Sequence, residues 1–213
     1  MMSLRLYLLR HGETTYSQTG EYCGELDPDL TPEGYEMATA FAKAYSSLKW
    51  ETIYCSPMKR TVATAQPLCD AVGLEMKQRD GLKEIRYGAW EGKDSSWVKE
   101  NYNDDYVNWL REPAWNPPTG GETAVEIASR ASLVMAEIQG THPDGNILVV
   151  SHKATLRIII CNLLGIDLGR YRDRIGFLAA SLCVIKLDQH GPLIETLGDR
   201  SFMDEKLRAR TGS

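Results

Sequence analysis

Apolar residues fall along this chain in two alternating rhythms, short unbroken runs and longer stretches with helical spacing. Leu4 to Leu9 is a short apolar run, rich in Leu with one Tyr, that stops at Arg10, His11 and Gly12. It reads as a buried strand that delivers a polar tip to the end of a sheet. Thr31, Pro32 and Glu33 start a helix, with Thr as N-cap, Pro in the first turn and an acid against the dipole. Behind them Met37, Phe41, Ala44, Tyr45 and Leu48 recur at helical spacing and define one packing face. Ile53 to Cys55 reads as a second strand, and Ser56-Pro57 opens another helix.

Glu122 to Gln139 is the clearest amphipathic helix, with Ile127, Ala131, Val134, Met135 and Ile138 on one stripe. It leads through Pro143, Asp144 and Gly145 to the buried strand Ile147 to Val150. That strand again ends in a polar tip, Ser151-His152-Lys153, before the apolar helix Leu156 to Leu164. Strand and helix in repeated alternation predict an α/β fold, a three-layer α/β/α arrangement around a mostly parallel central sheet. Leu178 to Leu187 and Leu193 to Leu197 read as two more strands, with a hairpin across Asp188 to Pro192. Lys93 to Thr119 differs: Trp97, Trp109, Trp115, Pro113 and a Pro117-Pro118 pair interrupt any strand pattern, so it reads as a small helical insertion over the active site. The tail after Leu197 is brief and ends in a polar stretch, Asp204 to Ser213, that reads as mobile, so little remains to close the site.

Composition narrows this picture. With 213 residues, 43% of them hydrophobic, there is material for one sizeable core, so residues 1–213 are expected to form a single domain. The formal charge of −5 argues against a nucleic-acid-binding face, and any bound anion must be held by locally placed cations. Five cysteines without a CxxC pair point to reduced packing residues in a cytoplasmic protein. The N-terminal apolar run is too short for a signal peptide or a membrane span. No Asp/His cluster has metal-site spacing, so neither a metal nor a cofactor is expected.

The candidate chemistry lies at the strand tips, because ligands of open α/β sheets bind beyond the carboxyl ends of the strands. His11 and His152 both occupy such positions, whereas His142 and His190 sit beside turn residues. Arg10 precedes His11, and Arg60 stands near the start of the helix after the second strand. Two Arg and two His converging on one point suit a dianionic phosphate, since guanidinium forks match phosphoryl oxygens.

Five segments sharpen that reading: LRHGET at Leu9 to Thr14, CSPMKRTVATA at Cys55 to Ala65, LKEIRYGAWEG at Leu82 to Gly92, GGET at Gly120 to Thr123 and VVSHK at Val149 to Lys153. In this order they resemble the histidine phosphatase superfamily, the phosphoglycerate mutase-like group, over most of the chain. The resemblance implies that His11 is the nucleophile and that Arg10, Arg60 and His152 form the phosphate pocket. It implies that Glu84 protonates the departing alkoxide and then activates water, with Glu91 as the rival carboxylate, otherwise a solvated turn acid. A phosphohistidine would divide one difficult hydrolysis into two easier transfers. Where many relatives carry Asn, this chain has Ser17; where many carry Gln before a glycine, it has Cys23-Gly24; where many have a small residue, it has Lys153. These four are further candidates for substrate binding, with the Lys153 side chain meeting either a substrate carboxylate or solvent.

GELDPDLTPEG at Gly24 to Gly34 and the modest insertion resemble the metal-independent phosphoserine phosphatases of that superfamily. The expected function is therefore hydrolysis of a small phosphorylated metabolite, with phosphoserine the leading candidate. The partners expected are this metabolite and, from the resemblance, a second copy of the chain in a homodimer, with no nucleic acid and no membrane. Two competing readings are a phosphoglycerate mutase and a non-catalytic member that binds phosphorylated ligands.

Overall fold

A computed structural model describes residues 3–210 and 212. In chain order it holds β1 (Leu4–Arg10), α1 (Thr15–Thr19), α2 (Pro32–Tyr45), β2 (Trp50–Cys55), α3 (Lys59–Val72), β3 (Met76–Gln78), α4 (Ser95–Asn101), α5 (Asn103–Arg111), α6 (Ala124–Thr141), β4 (Gly145–Ser151), α7 (Lys153–Leu164), α8 (Tyr171–Arg174), β5 (Leu182–Asp188), β6 (Gly191–Asp199) and α9 (Glu205–Ala209). The strands form one six-stranded sheet in the order β3-β2-β4-β1-β5-β6. The first four in that order run parallel, and β5 and β6 close the far edge as an antiparallel hairpin.

The period of two along β1 divides the core into layers. Leu4, Leu6 and Leu8 face Ile127, Met135 and Ile138 of α6 and Leu156 and Ile159 of α7. Tyr7 and Leu9 face Phe41 of α2 and Ala65 and Leu68 of α3. The expected α/β/α sandwich is thus the one observed. Leu6 and Leu8 are fully buried, and truncating either to Ala would cost about 2–5 kcal/mol.

Register places the site. Leu9 pairs with Val150 and Arg10 with Ser151, so the residues that follow, His11 and His152, leave the sheet level with each other. Cys55 also pairs with Val150, which brings Ser56 and the start of α3 to the same edge.

Local signals account for most boundaries. Thr31 caps α2 through the amide of Gly34, with Pro32 at the first helical position. Thr123 and Glu126 form a reciprocal capping box that starts α6 at Ala124, two residues after the expected Glu122. The helix after β2 begins at Lys59 rather than at Ser56-Pro57, because Met58 keeps extended backbone as N-cap. β5 starts at Leu182 rather than Leu178, since Ala180 turns the chain with φ of 51°. The short β3, α1 and α8 carried no sequence signal strong enough to read.

The insertion is helical, α4 followed by α5, and it is anchored by aromatic rings. Trp109 lies 5.3 Å from Trp90 in an edge-on pair, and both are buried, whereas Trp115 is exposed. Tyr22 and Tyr87 join the same cluster with ring centroids 4.8 Å apart.

The C-terminal stretch differs from its expected mobility. Buried Arg200 donates to the carbonyls of Leu207, Arg208 and Arg210, closing the end of α9. Arg210 in turn pairs with buried Glu13 at 2.8 Å and with Glu33 at 3.3 Å. These charged hydrogen bonds hold a segment that hydrophobic patterning alone marks as loose. Thr211 and Ser213 of that stretch lie outside the described residues.

Candidate active site

β1 ends where the loop bearing His11 crosses α2. The amide of His11 donates to Ser151 O and its carbonyl accepts from the amide of Ala180, both at 3.0 Å. Gly12 passes so close to α2 that a Cβ there would stand 2.5 Å from the carbonyl oxygen of Gly34, so only glycine fits. The Gly12 amide is met by the hydroxyl of Thr64 on α3.

The His11 ring is fixed in tautomer as well as place. Nδ1 lies 2.7 Å from the Gly12 carbonyl, which only accepts, so Nδ1 carries the hydrogen and Nε2 keeps its lone pair. Burial, then repulsion from Arg60 and Arg10, holds the pKa of His11 well below its ordinary 6.5. The ring is therefore neutral near pH 7, with an unprotonated nitrogen beside two guanidinium groups.

Arg60 is 1% exposed and spread across three acceptors: Nη1 donates to Leu26 O at 2.8 Å, Nη2 to Gly24 O at 3.1 Å and Nε to Nδ1 of His152 at 3.2 Å. Because Nδ1 of His152 accepts, its Nε2–H donates to Ser56 Oγ at 2.9 Å. His152 is fully buried, its ring 5.3 Å from that of His11, and burial followed by the Arg60 charge keeps its pKa well below 6.5. In this geometry it orients Arg60 from behind rather than forming the pocket wall. Arg10 donates through Nη1 to Phe177 O and Gly212 O, and burial pushes its pKa down to about 10, which still leaves it cationic.

Glu84 enters from the loop after β3 and meets the first turn of α7. Its carboxylate accepts from the amides of Ile85, Ala154 and Thr155 and from the Thr155 hydroxyl, at 3.0–3.3 Å. It takes the place of the side-chain cap that His152 does not supply. A pocket of about 160 Å³ is lined by Arg10, His11, Arg60, Glu84 and Lys153, together with Ser17, Cys23 and Gly24.

Three of those candidates have local duties too. The Ser17 hydroxyl donates to Thr14 O and accepts from the Thr14 amide, completing the capping box of α1. The Cys23 thiol donates to Leu26 O, and burial pushes its pKa up to about 11, so it is not a thiolate. Gly24, at φ of 53°, lies where a Cβ would collide with Glu91. Glu91 is not the solvated turn acid expected, since its Oε1 accepts from the amides of Glu25 and Tyr87 and ties two pocket loops together.

Residues without a sequence signal complete the site. Tyr16, Glu21, Tyr22 and Tyr87 also line the pocket. Asp27 accepts from the Lys59 amide at the start of α3 and stands 3.5 Å from Nη1 of Arg60. Tyr87 lies inside a quoted motif, three residues past Glu84, and that spacing was the one available clue.

Known proteins resemble this chain in sequence and in fold. The chain is 34% identical over 95% of its length to phosphoserine phosphatase 1 of Hydrogenobacter thermophilus, of which it covers 95%. It is 28% identical to the adenosylcobalamin/alpha-ribazole phosphatase of Escherichia coli over 76% of this chain and 80% of that one. The solved structure of Bacillus stearothermophilus YhfR shares the fold, with a TM-score of 0.87 over 94% of this chain and 100% of that one at 24% identity. Residues 6–200 match the family model described as histidine phosphatase superfamily (branch 1), and the chain belongs to that superfamily.

Proposed function

We propose that this protein hydrolyses a small phosphomonoester by two transfers through Nε2 of His11, without a metal ion. The observation that carries the proposal is the Nδ1–H bond from His11 to the Gly12 carbonyl, which leaves a neutral, nucleophilic Nε2 in a pocket walled by Arg10, Arg60 and Glu84. In the first step Nε2 bonds to phosphorus and the ester P–O bond breaks. Glu84, entering this step as the protonated acid, gives its proton to the departing alkoxide. In the second step Glu84, now a carboxylate, takes a proton from water, the water oxygen bonds to phosphorus, and the P–N bond breaks to release phosphate and neutral His11. Arg10 and Arg60 stabilise the charge spread over the equatorial oxygens.

Phosphoserine is the leading substrate, supported by the likeness to the Hydrogenobacter enzyme. A cytoplasmic setting fits the free thiols, and a homodimer is what the family resemblance suggests. No described helix is long and apolar enough to cross a membrane.

The test is phosphate release from a panel of monoesters with and without a chelator. Release that chelation leaves unchanged is the expected result; loss restored by Mg²⁺ would overturn the metal-free mechanism. Primer-dependent interconversion of 2- and 3-phosphoglycerate without phosphate release would replace hydrolysis by the mutase reading.

A further inference from the structure

The pocket has a second cationic flank that phosphoryl transfer does not use. α7 carries Lys153 in its first turn and Arg157 one turn later, and residues four apart share a helix face. Lys153 lines the pocket beside Tyr87. Neither the Lys153 nor the Arg157 side chain has a hydrogen bond or ion pair among the described residues, and the Nε of Arg157 is buried without a partner. Arg172 of α8, the next cation, lies 3.6 Å above the ring of Trp109 and likewise has no carboxylate partner among the described residues.

Six other arginines are placed differently. Arg5, Arg79, Arg130 and Arg210 each meet a carboxylate, and Arg10 and Arg60 are spread over backbone carbonyls. The acid nearest the flank, Glu84, has its oxygens taken by the amides of Ile85, Ala154 and Thr155. Burial, then repulsion from Arg10 and Arg157, brings the pKa of Lys153 down to about 7. Cations gathered and left unneutralised are destabilising in the free protein, and an anionic ligand relieves that cost.

We infer that Lys153, held in the field of Arg157, forms a subsite for a carboxylate on the leaving group, so that the preferred substrates are phosphomonoesters of small hydroxy acids. This rests on the phosphomonoesterase reading and narrows its substrate class. The pocket, about 160 Å³, requires the second anion to be compact and close to the phosphate. A carboxylate on a short carbon chain meets both conditions, whereas a nucleotide does not. Lys153 is the contacting group and Arg157 a positioning residue.

The experiment compares O-phosphoserine with O-phosphoethanolamine, which lacks only the carboxylate, and uses p-nitrophenyl phosphate as a reference. Wild-type protein is expected to favour phosphoserine by at least about tenfold in kcat/KM, the size of one charge-assisted contact. Lys153→Met should reduce that ratio to near one, chiefly through KM, and Arg157→Gln should reduce it partly. Equal handling of the two esters by wild type, or a ratio unchanged in Lys153→Met, would overturn the subsite while leaving the phosphatase reading in place. Calorimetric binding of the same two esters to His11→Ala reads the preference without turnover. If no ester is hydrolysed, the phosphatase reading falls and the binding ratio still decides the subsite.

Discussion

The two walls of the pocket are built on opposite terms. On the wall formed by Arg10, His11 and Arg60, donor groups are committed to fixed acceptors: Gly12 O for His11, Phe177 O for Arg10, and Leu26 O, Gly24 O and His152 for Arg60. On the flank formed by Lys153 and Arg157, the charges have no described partner. The first wall is preorganised for an anion whose shape never changes, which is what phosphoryl transfer requires. The second is neutralised only by what arrives, and that is how a site distinguishes among substrates sharing one reacting group.

The comparison breaks first if the preorganised wall proves dispensable. His11→Ala should lower kcat by at least about a thousandfold on every ester, the scale of losing a covalent nucleophile. A smaller loss in steady-state rate would place the chemistry elsewhere.

Glu84→Gln should act more selectively. Esters with poor leaving groups are expected to slow by about 10²–10⁴-fold, and p-nitrophenyl phosphate far less, because a good leaving group needs little protonation. Equal losses on phosphoserine and p-nitrophenyl phosphate would remove Glu84 from the acid role.

Arg210→Ala tests what supports the first wall from below. It leaves Glu13 buried with Thr31 and Gln18 as its side-chain partners among the described residues, directly after the loop of His11. A stability loss of about 1–3 kcal/mol in urea unfolding is expected. An unchanged midpoint would show that the tail is not part of the framework.

The smallest effect is in pH. His11 and His152 both have folded pKa values well below 6.5, so below 6.5 the unfolded chain binds protons that the folded one does not. The stability due to neutral histidines is thus present above 6.5 and is lost as pH falls from there toward the folded values. A lower Tm at about pH 5.5 than at pH 7, with the difference reduced in His152→Gln, is expected from that linkage. A Tm that rises on acidification over this range would contradict the neutral assignment.

How much of this was legible in the sequence differs between the two walls. His11 and His152 follow apolar runs that end abruptly, and strand period and length are local properties, so their placement at strand tips could be read directly, whereas the pairing that makes those tips neighbours could not. The caps at Thr31 and Thr123 were equally local. The role of His152 behind Arg60 was not legible, because it depends on ring orientation across two elements. Glu91 as a strut and Arg210 as an anchor depend on partners far apart in sequence, the Glu25 backbone amide and the Glu13 carboxylate, and such contacts leave no periodic trace. Arg157 escaped notice for a related reason: within an apolar helix a single Arg reads as a solvated charge until its surroundings are known.

The central claim is that the phosphoryl group passes through His11. The direct measurement is rapid quench of wild-type protein with labelled phosphoserine or p-nitrophenyl phosphate, followed by peptide mapping of the labelled site. The account predicts an acid-labile, alkali-stable phosphate on the peptide containing His11, absent in His11→Ala. Label on any other residue, or turnover with no phosphoenzyme under conditions where attack is faster than hydrolysis, would contradict it.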